Sequence, residues 1–107
     1  MKTAFPLSGR GSEINYEHGY IAKWKKTKLT IPDSVVNDIL NNFFIDKTKW
    51  YPLGASETNP MPRGLGEFIT TRYTKLNPRH ASAIAAIMYQ ENLIETKGQK
   101  PILLRKK

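Results

Sequence analysis

The apolar positions of this chain change period several times between the N- and C-terminus. From Ile14 to Ile31 the β-formers Ile14, Tyr16, Tyr20, Ile21, Trp24, Leu29 and Ile31 recur with partial alternation, interrupted at Gly19 and at the Lys25-Lys26-Thr27 step. That pattern predicts strands near 20–24 and 28–31, joined as a hairpin. At Val35 the period becomes helical: Val35, Val36, Ile39, Leu40, Phe43 and Phe44 share one face, with Asn37, Asp38, Asn41 and Asn42 opposite. With Pro32 ahead of it and Asp33 or Ser34 as N-cap, an amphipathic helix of about three turns is expected. Its acidic and amide face carries no base and is expected to point away from any phosphate. Residues 46–62 then lose all periodicity under Trp50, Tyr51, Pro52, Gly54, Pro60 and Pro62, and read as a long loop. Such a loop serves a function or hides a short element. Trp50 and Tyr51 are read as pins that hold it to the core in preference to a base-stacking role.

Two helical patterns come next in quick succession. Leu65, Phe68, Ile69 and Tyr73 fall at i, i+3, i+4 and i+8, and after a break at Thr74 to Leu76 the pair Asn77-Pro78 supplies an N-cap and a proline at the first helical position. The second helix, expected from Pro78 to Glu91, holds Ala81, Ala83, Ile84, Ala85, Ala86, Ile87 and Met88. A helix apolar nearly all round is buried on more than one side. Leu93 to Thr96, the Lys97-Gly98-Gln99-Lys100 turn and Pro101 to Arg105 predict a terminal β-hairpin. The expected architecture is a small α+β domain over 14–107, with two or three helices and short antiparallel hairpins, behind an extended N-terminal arm over 1–13.

Length and charge narrow the function. A chain of 107 residues is one domain long. Seventeen Lys and Arg against nine Asp and Glu leave a net charge of +8. The excess sits at the ends, with six basic and two acidic residues in 1–28, two and four in 29–62, and nine and three in 63–107. A polyanionic partner is implied, nucleic acid ahead of an anionic membrane surface. The lack of cysteine excludes disulfide scaffolds, Cys-ligated zinc, iron–sulfur clusters and thiol nucleophiles. No apolar run is long enough for a leader or a membrane span, and no asparagine begins a glycosylation sequon. A soluble, cytoplasmic and microbial protein starting near Met1 is expected.

From Gly64 to Arg105 the order helix, short turn, helix, basic-tipped hairpin resembles the winged helix-turn-helix architecture in outline. The resemblance implies a second helix lying in the major groove and a hairpin touching the phosphate backbone. Arg79, His80, Ser82 and Ala83 would then face bases, Lys97, Gln99 and Lys100 would sit on the wing, and Arg72 and Lys75 would flank the groove as phosphate contacts. That helix offers few long polar side chains among its alanines, so contacts to phosphate are expected to dominate over base reading. The second basic feature is the run Lys23-Trp24-Lys25-Lys26-Thr27-Lys28. In extended backbone Lys23 and Lys25 share one face and Trp24 lies on the other. Trp24 then belongs to the core, and Lys23, Lys25, Lys26 and Lys28 become exterior phosphate contacts. A solvated lysine face without a ligand is the alternative.

Other chemistry has less to build on. A metal-independent ribonuclease or toxin would need a base, an acid and cations on the scissile phosphate. His18 and His80 are the only histidines for that pair, with Arg63, Arg72 and Arg79 on the phosphate. Glu13, Glu17 and His18 lack the spacing and the fourth ligand of a metal site. Gly9-Arg10-Gly11 and Gly64-Leu65-Gly66 do not extend to a dinucleotide fingerprint, and neither a P-loop nor a nucleophile elbow occurs. No metal and no cofactor is therefore expected. The reading favoured by the sequence is a nucleic-acid-binding protein acting through phosphate contacts on DNA or RNA, with a DNA-binding regulator as its narrower form. The remaining alternative is a basic subunit packed inside a larger assembly.

Overall fold

The computed structural model describes residues 2–7, 9, 13–17, 21–24, 27–56, 61–99 and 101–107, with residues 24 and 27 described by their backbone. Four strands, Lys2–Ala4 (β1), Ile14–Glu17 (β2), Ile21–Trp24 (β3) and Thr27–Thr30 (β4), form an antiparallel sheet in chain order. The predicted hairpin is β3–β4, with Ile21 opposite Thr30 and Trp24 opposite Thr27. Residues 2–4 do not stand apart as an arm. They pair with β2, Lys2 opposite Tyr16, and Ala4 is fully buried. Three residues with one apolar side chain carry no period of their own, so the partner strand decides their conformation.

Helix α1 (Asp33–Asp38) starts at Pro32, whose carbonyl accepts from the Val35 and Val36 amides at 2.9 and 3.4 Å. Neither Asp33 nor Ser34 is the N-cap. Asp33 lies in the first turn, where a carboxylate favours the positive end of the helix dipole. The expected helix then continues as a π-helical turn, Ile39–Phe43, closed by the Phe44 amide on the Ile39 carbonyl at 3.2 Å. Phe43 and Phe44 are both buried. Their rings meet Tyr51 at centroid distances of 5.2 and 5.7 Å, which pins the following loop to the core.

That loop does hide an element. Tyr51–Pro52 (β5) pairs with the outer side of the C-terminal hairpin, Ile94–Lys97 (β6) and Leu103–Lys106 (β7), giving a second sheet in the order β5-β7-β6. At an edge a proline is tolerated because one side of the strand needs no amide donor. The Leu53 amide extends the pairing by donating to the Ile102 carbonyl at 2.9 Å. Helix α2 (Leu65–Arg72) crosses this segment at close range: the Gly66 amide donates to the Leu53 carbonyl at 3.0 Å. A Cβ on Gly66 would lie 2.1 Å from the Gly54 carbonyl oxygen.

Helix α3 (His80–Gln90) is the centre of the core. Ala81 and the run Ala83–Met88 are buried, and the helix contacts β1 and β2 of the first sheet, β6 of the second, and α2. Its C-terminus is a Schellman turn. Asn92 is left-handed at φ 65°, the Leu93 amide reaches the Met88 carbonyl at 2.9 Å, and the Asn92 amide reaches the Tyr89 carbonyl at 3.0 Å. Tyr16, buried under the first sheet, donates its hydroxyl to Glu91 at 2.8 Å, and Lys2 closes on the same carboxylate at 3.0 Å. Over the described residues the protein is an α+β domain of three helices and two antiparallel sheets around a shared core, with a radius of gyration of 12.4 Å. No helix among the described residues is long and apolar enough to cross a membrane.

Gly66→Ala must push α2 off the Gly54 backbone, so a loss of about 3 kcal/mol is expected in urea denaturation. A midpoint equal to wild type would show that the crossing adapts freely.

Candidate functional site

Two lysines of the first sheet, Lys23 and Lys28, lie on its side away from the core, whereas Lys2 is on the inward row with Tyr16. Ile14, Tyr16 and Ala22 face inward and are buried, so the intervening residues of each strand face out. Register aligns Thr3, Asn15, Lys23 and Lys28 in one row across all four strands. Lys23 and Lys28 are directly opposite each other and exposed. Neither lysine belongs to an ion pair among the described residues. Thr3 donates its hydroxyl to the Asn15 side-chain oxygen at 3.0 Å, which orients the amide beside Lys23. Lys25 and Lys26, singled out in the sequence, lie outside the described residues.

The C-terminal hairpin holds a second group of cations. Glu95 and Arg105 are paired across β6 and β7, and the Arg105 guanidinium meets the carboxylate at 2.7 Å. The Lys97 ammonium and the Arg105 guanidinium lie 4.3 and 4.4 Å from the centroid of the Trp50 ring. Trp50 precedes β5, which brings it beside Arg105 on the sheet. Cation–π contact of this kind holds Lys97 near the surface without neutralising it. Lys100 lies outside the described residues.

The helical residues are placed differently from the winged-helix expectation. Helix α3 begins at His80 with Arg79 as its N-cap, two residues later than the Asn77-Pro78 pattern predicts, and the Asn77 side chain accepts from the Arg79 and His80 amides at 2.9 and 3.3 Å in the turn ahead of the helix. His80 reciprocates: its Nδ1 accepts from the Asn77 amide at 3.2 Å, which closes the turn. His18, the other half of the expected acid–base pair, lies outside the described residues. Ala83 is 3% exposed and Ser82 half-buried, because α3 is covered by the first sheet. Lys75 and Arg79 are exposed around the turn between α2 and α3.

Arg72, expected from the sequence as a phosphate contact, is engaged by a carboxylate. Its Nε and Nη2 each lie 2.7 Å from an Asp38 oxygen, a two-pronged clasp between α2 and the end of α1. Tyr73 donates its hydroxyl to the same carboxylate, as does the Asn42 amide at 2.6 Å. Asp38 thus faces α2, although the sequence pattern places it on the outward face of its helix. Burial pushes the Asp38 carboxyl up, but the hydrogen bonds from Arg72, Tyr73 and Asn42 and the guanidinium charge outweigh it and hold the group below its ordinary value. Burial and the bond to Asp38 raise the Tyr73 phenol.

No protein-family model, curated protein or solved structure matches this chain. The described residues also bring no three His, Asp or Glu side chains together as a metal site would need. Arg105 and Thr3 entered the basic surfaces without being singled out in the sequence. Arg105 was legible as the partner of Glu95 in a hairpin register, whereas Thr3 depended on the pairing of β1.

The Asp38 cluster has a definite pH signature. Its carboxyl titrates lower in the folded than in the unfolded chain, so the contribution is complete above about pH 4 and is lost as pH falls through the folded value. Asp38→Asn should therefore lose stability less steeply than wild type on acidification from about pH 5 to pH 2. Parallel curves of urea midpoint against pH would remove Asp38 from the acid response.

Proposed function

We propose that this protein binds nucleic acid through the phosphate backbone, with the outer face of the first sheet as its principal contact. The observation that carries the reading is the Lys23–Lys28 pair. Like charges directly opposite on neighbouring strands oppose sheet formation, and here they sit in register with neither lysine in an ion pair among the described residues. A run of phosphates supplies the missing counter-charge and releases bound cations on association. Asn15 and Thr3 extend the row with neutral groups able to hydrogen-bond phosphate oxygens.

The helical half supports a winged-helix outline at the level of element order: α1, β5, α2, α3, then the β6–β7 hairpin, with β5 closing on β7. Its reading helix has no free face for a major groove. Sequence-tolerant binding by sheet and wing is therefore favoured over base recognition, with Lys97, Lys75 and Arg79 as secondary phosphate contacts.

Affinity for unrelated DNA and RNA duplexes should fall steeply between about 50 and 200 mM salt, with a log–log slope of about −0.9 per phosphate contact on DNA. Lys28→Thr should make that slope shallower by about one contact on every sequence. The free variant should be as stable as wild type or more so, because the facing charge is gone. A slope that is flat for wild type would discard the proposal.

A further inference from the structure

A groove of about 470 Å³ opens where α2, the π-helical turn and β5 meet, well away in the chain from the lysine row. Its volume is in the range of small-molecule sites. Phe43, Tyr51 and Phe68 line it, with the Phe43 ring 5.2 Å from Tyr51 and 5.3 Å from Phe68, and Trp50 adds a fourth aromatic. Two cations, Lys49 and Arg63, share the lining with one acid, Glu67. The Glu67 carboxylate already accepts from the Arg63 backbone amide at 3.2 Å. Among the described residues neither Lys49 nor Arg63 enters an ion pair. The neighbouring Asp46 carboxylate accepts from the Thr48 amide and hydroxyl at 2.9 and 2.6 Å and meets the Lys49 charge at a distance, without an ion pair.

Two departures from ordinary backbone geometry border the same groove. The π-helical turn contributes Asn42 and Phe43 to it. Arg63 holds φ at 65°, a region that a side chain of its size enters at a cost. Wide helical turns and left-handed non-glycine residues both concentrate at ligand sites. The conformation of Arg63 is not needed to bury the core: its side chain is exposed, and the turn it occupies would accept glycine without strain.

We propose that this groove is a nucleotide-binding site, taking the planar base against its aromatic lining and the phosphate against Arg63 and Lys49. An apolar peptide segment would leave two positive charges without a direct ionic contact, and a bare phosphate would leave the aromatic surface unused. A ring carrying a phosphate satisfies both. The site is separate from the lysine row of the first sheet and stands or falls without it.

The test is a titration of the full chain followed by ¹H–¹⁵N spectra, with AMP as the probe and adenosine and inorganic phosphate as its two halves. AMP should shift the Gly64 and Thr71 amides and the Trp50 indole, and bind about tenfold or more tighter than either half. Arg63→Gly relieves the backbone and should fold at least as stably, while AMP binding weakens by about tenfold. Lys28→Thr should leave AMP binding unchanged even where it lowers duplex affinity. The proposal is overturned if AMP moves none of the groove signals, if phosphate alone reproduces the shifts at equal affinity, or if Arg63→Gly binds AMP as wild type does.

Discussion

Packing one alanine-rich helix against two sheets at once constrains nearly everything else in this molecule. Ala81, Ala83, Ala85 and Ala86 on α3 present so little side chain that β1 and β2 approach from one direction while β6 and α2 approach from others. Interiors tolerate few voids, and the larger residues Ile84, Ile87 and Met88 share one core cluster with Tyr16, Ile69, Ile94 and Leu104, all nearly inaccessible to solvent. The ends of the helix are fixed as firmly as its middle. Asn77 and His80 exchange hydrogen bonds at the start, and a left-handed Asn92 with Glu91 ties the finish to β1 and β2.

Covering that helix moves the available chemistry elsewhere. In an exposed helix-turn-helix the second helix would be the surface that meets a ligand, whereas here its early residues are capping groups or core. Charge is left on the outward face of the first sheet, on the terminal hairpin, and around the groove beside β5. Several cations are consumed in holding the fold: Arg72 by Asp38, Lys2 by Glu91 and Arg105 by Glu95. Those three ion pairs each join segments distant in sequence or neighbouring strands. The net positive charge therefore resides in lysines such as Lys23 and Lys28, which serve no such purpose.

The second sheet shows how a proline-rich stretch is drawn into regular structure. Tyr51 and Pro52 have only two residues in which to pair, yet the aromatic cluster of Phe43, Phe44 and Tyr51 brings the chain alongside β7, and the Gly54–Gly66 crossing fixes the chain just beyond it. Close backbone contact at that crossing depends on the absence of a side chain. Cooperation between rings on one side and bare backbone on the other replaces the periodic signal that the loop lacks.

Local pattern alone determined the elements with a strong period: the β3–β4 hairpin, the three helices, the break at Asn77-Pro78 ahead of α3, the burial of α3 on several sides and the terminal hairpin. It determined also that Lys23 and Lys28 lie in facing strands, since a hairpin's register is set by its turn. The pairing of β1, the strand at Tyr51–Pro52, the π-helical widening after Asp38 and the turning of Asp38 toward Arg72 were decided by tertiary structure. Each depends on a partner far away in the chain, and a segment of two or three residues, or one charge among polar neighbours, holds too little free energy to choose its conformation until that partner is in place.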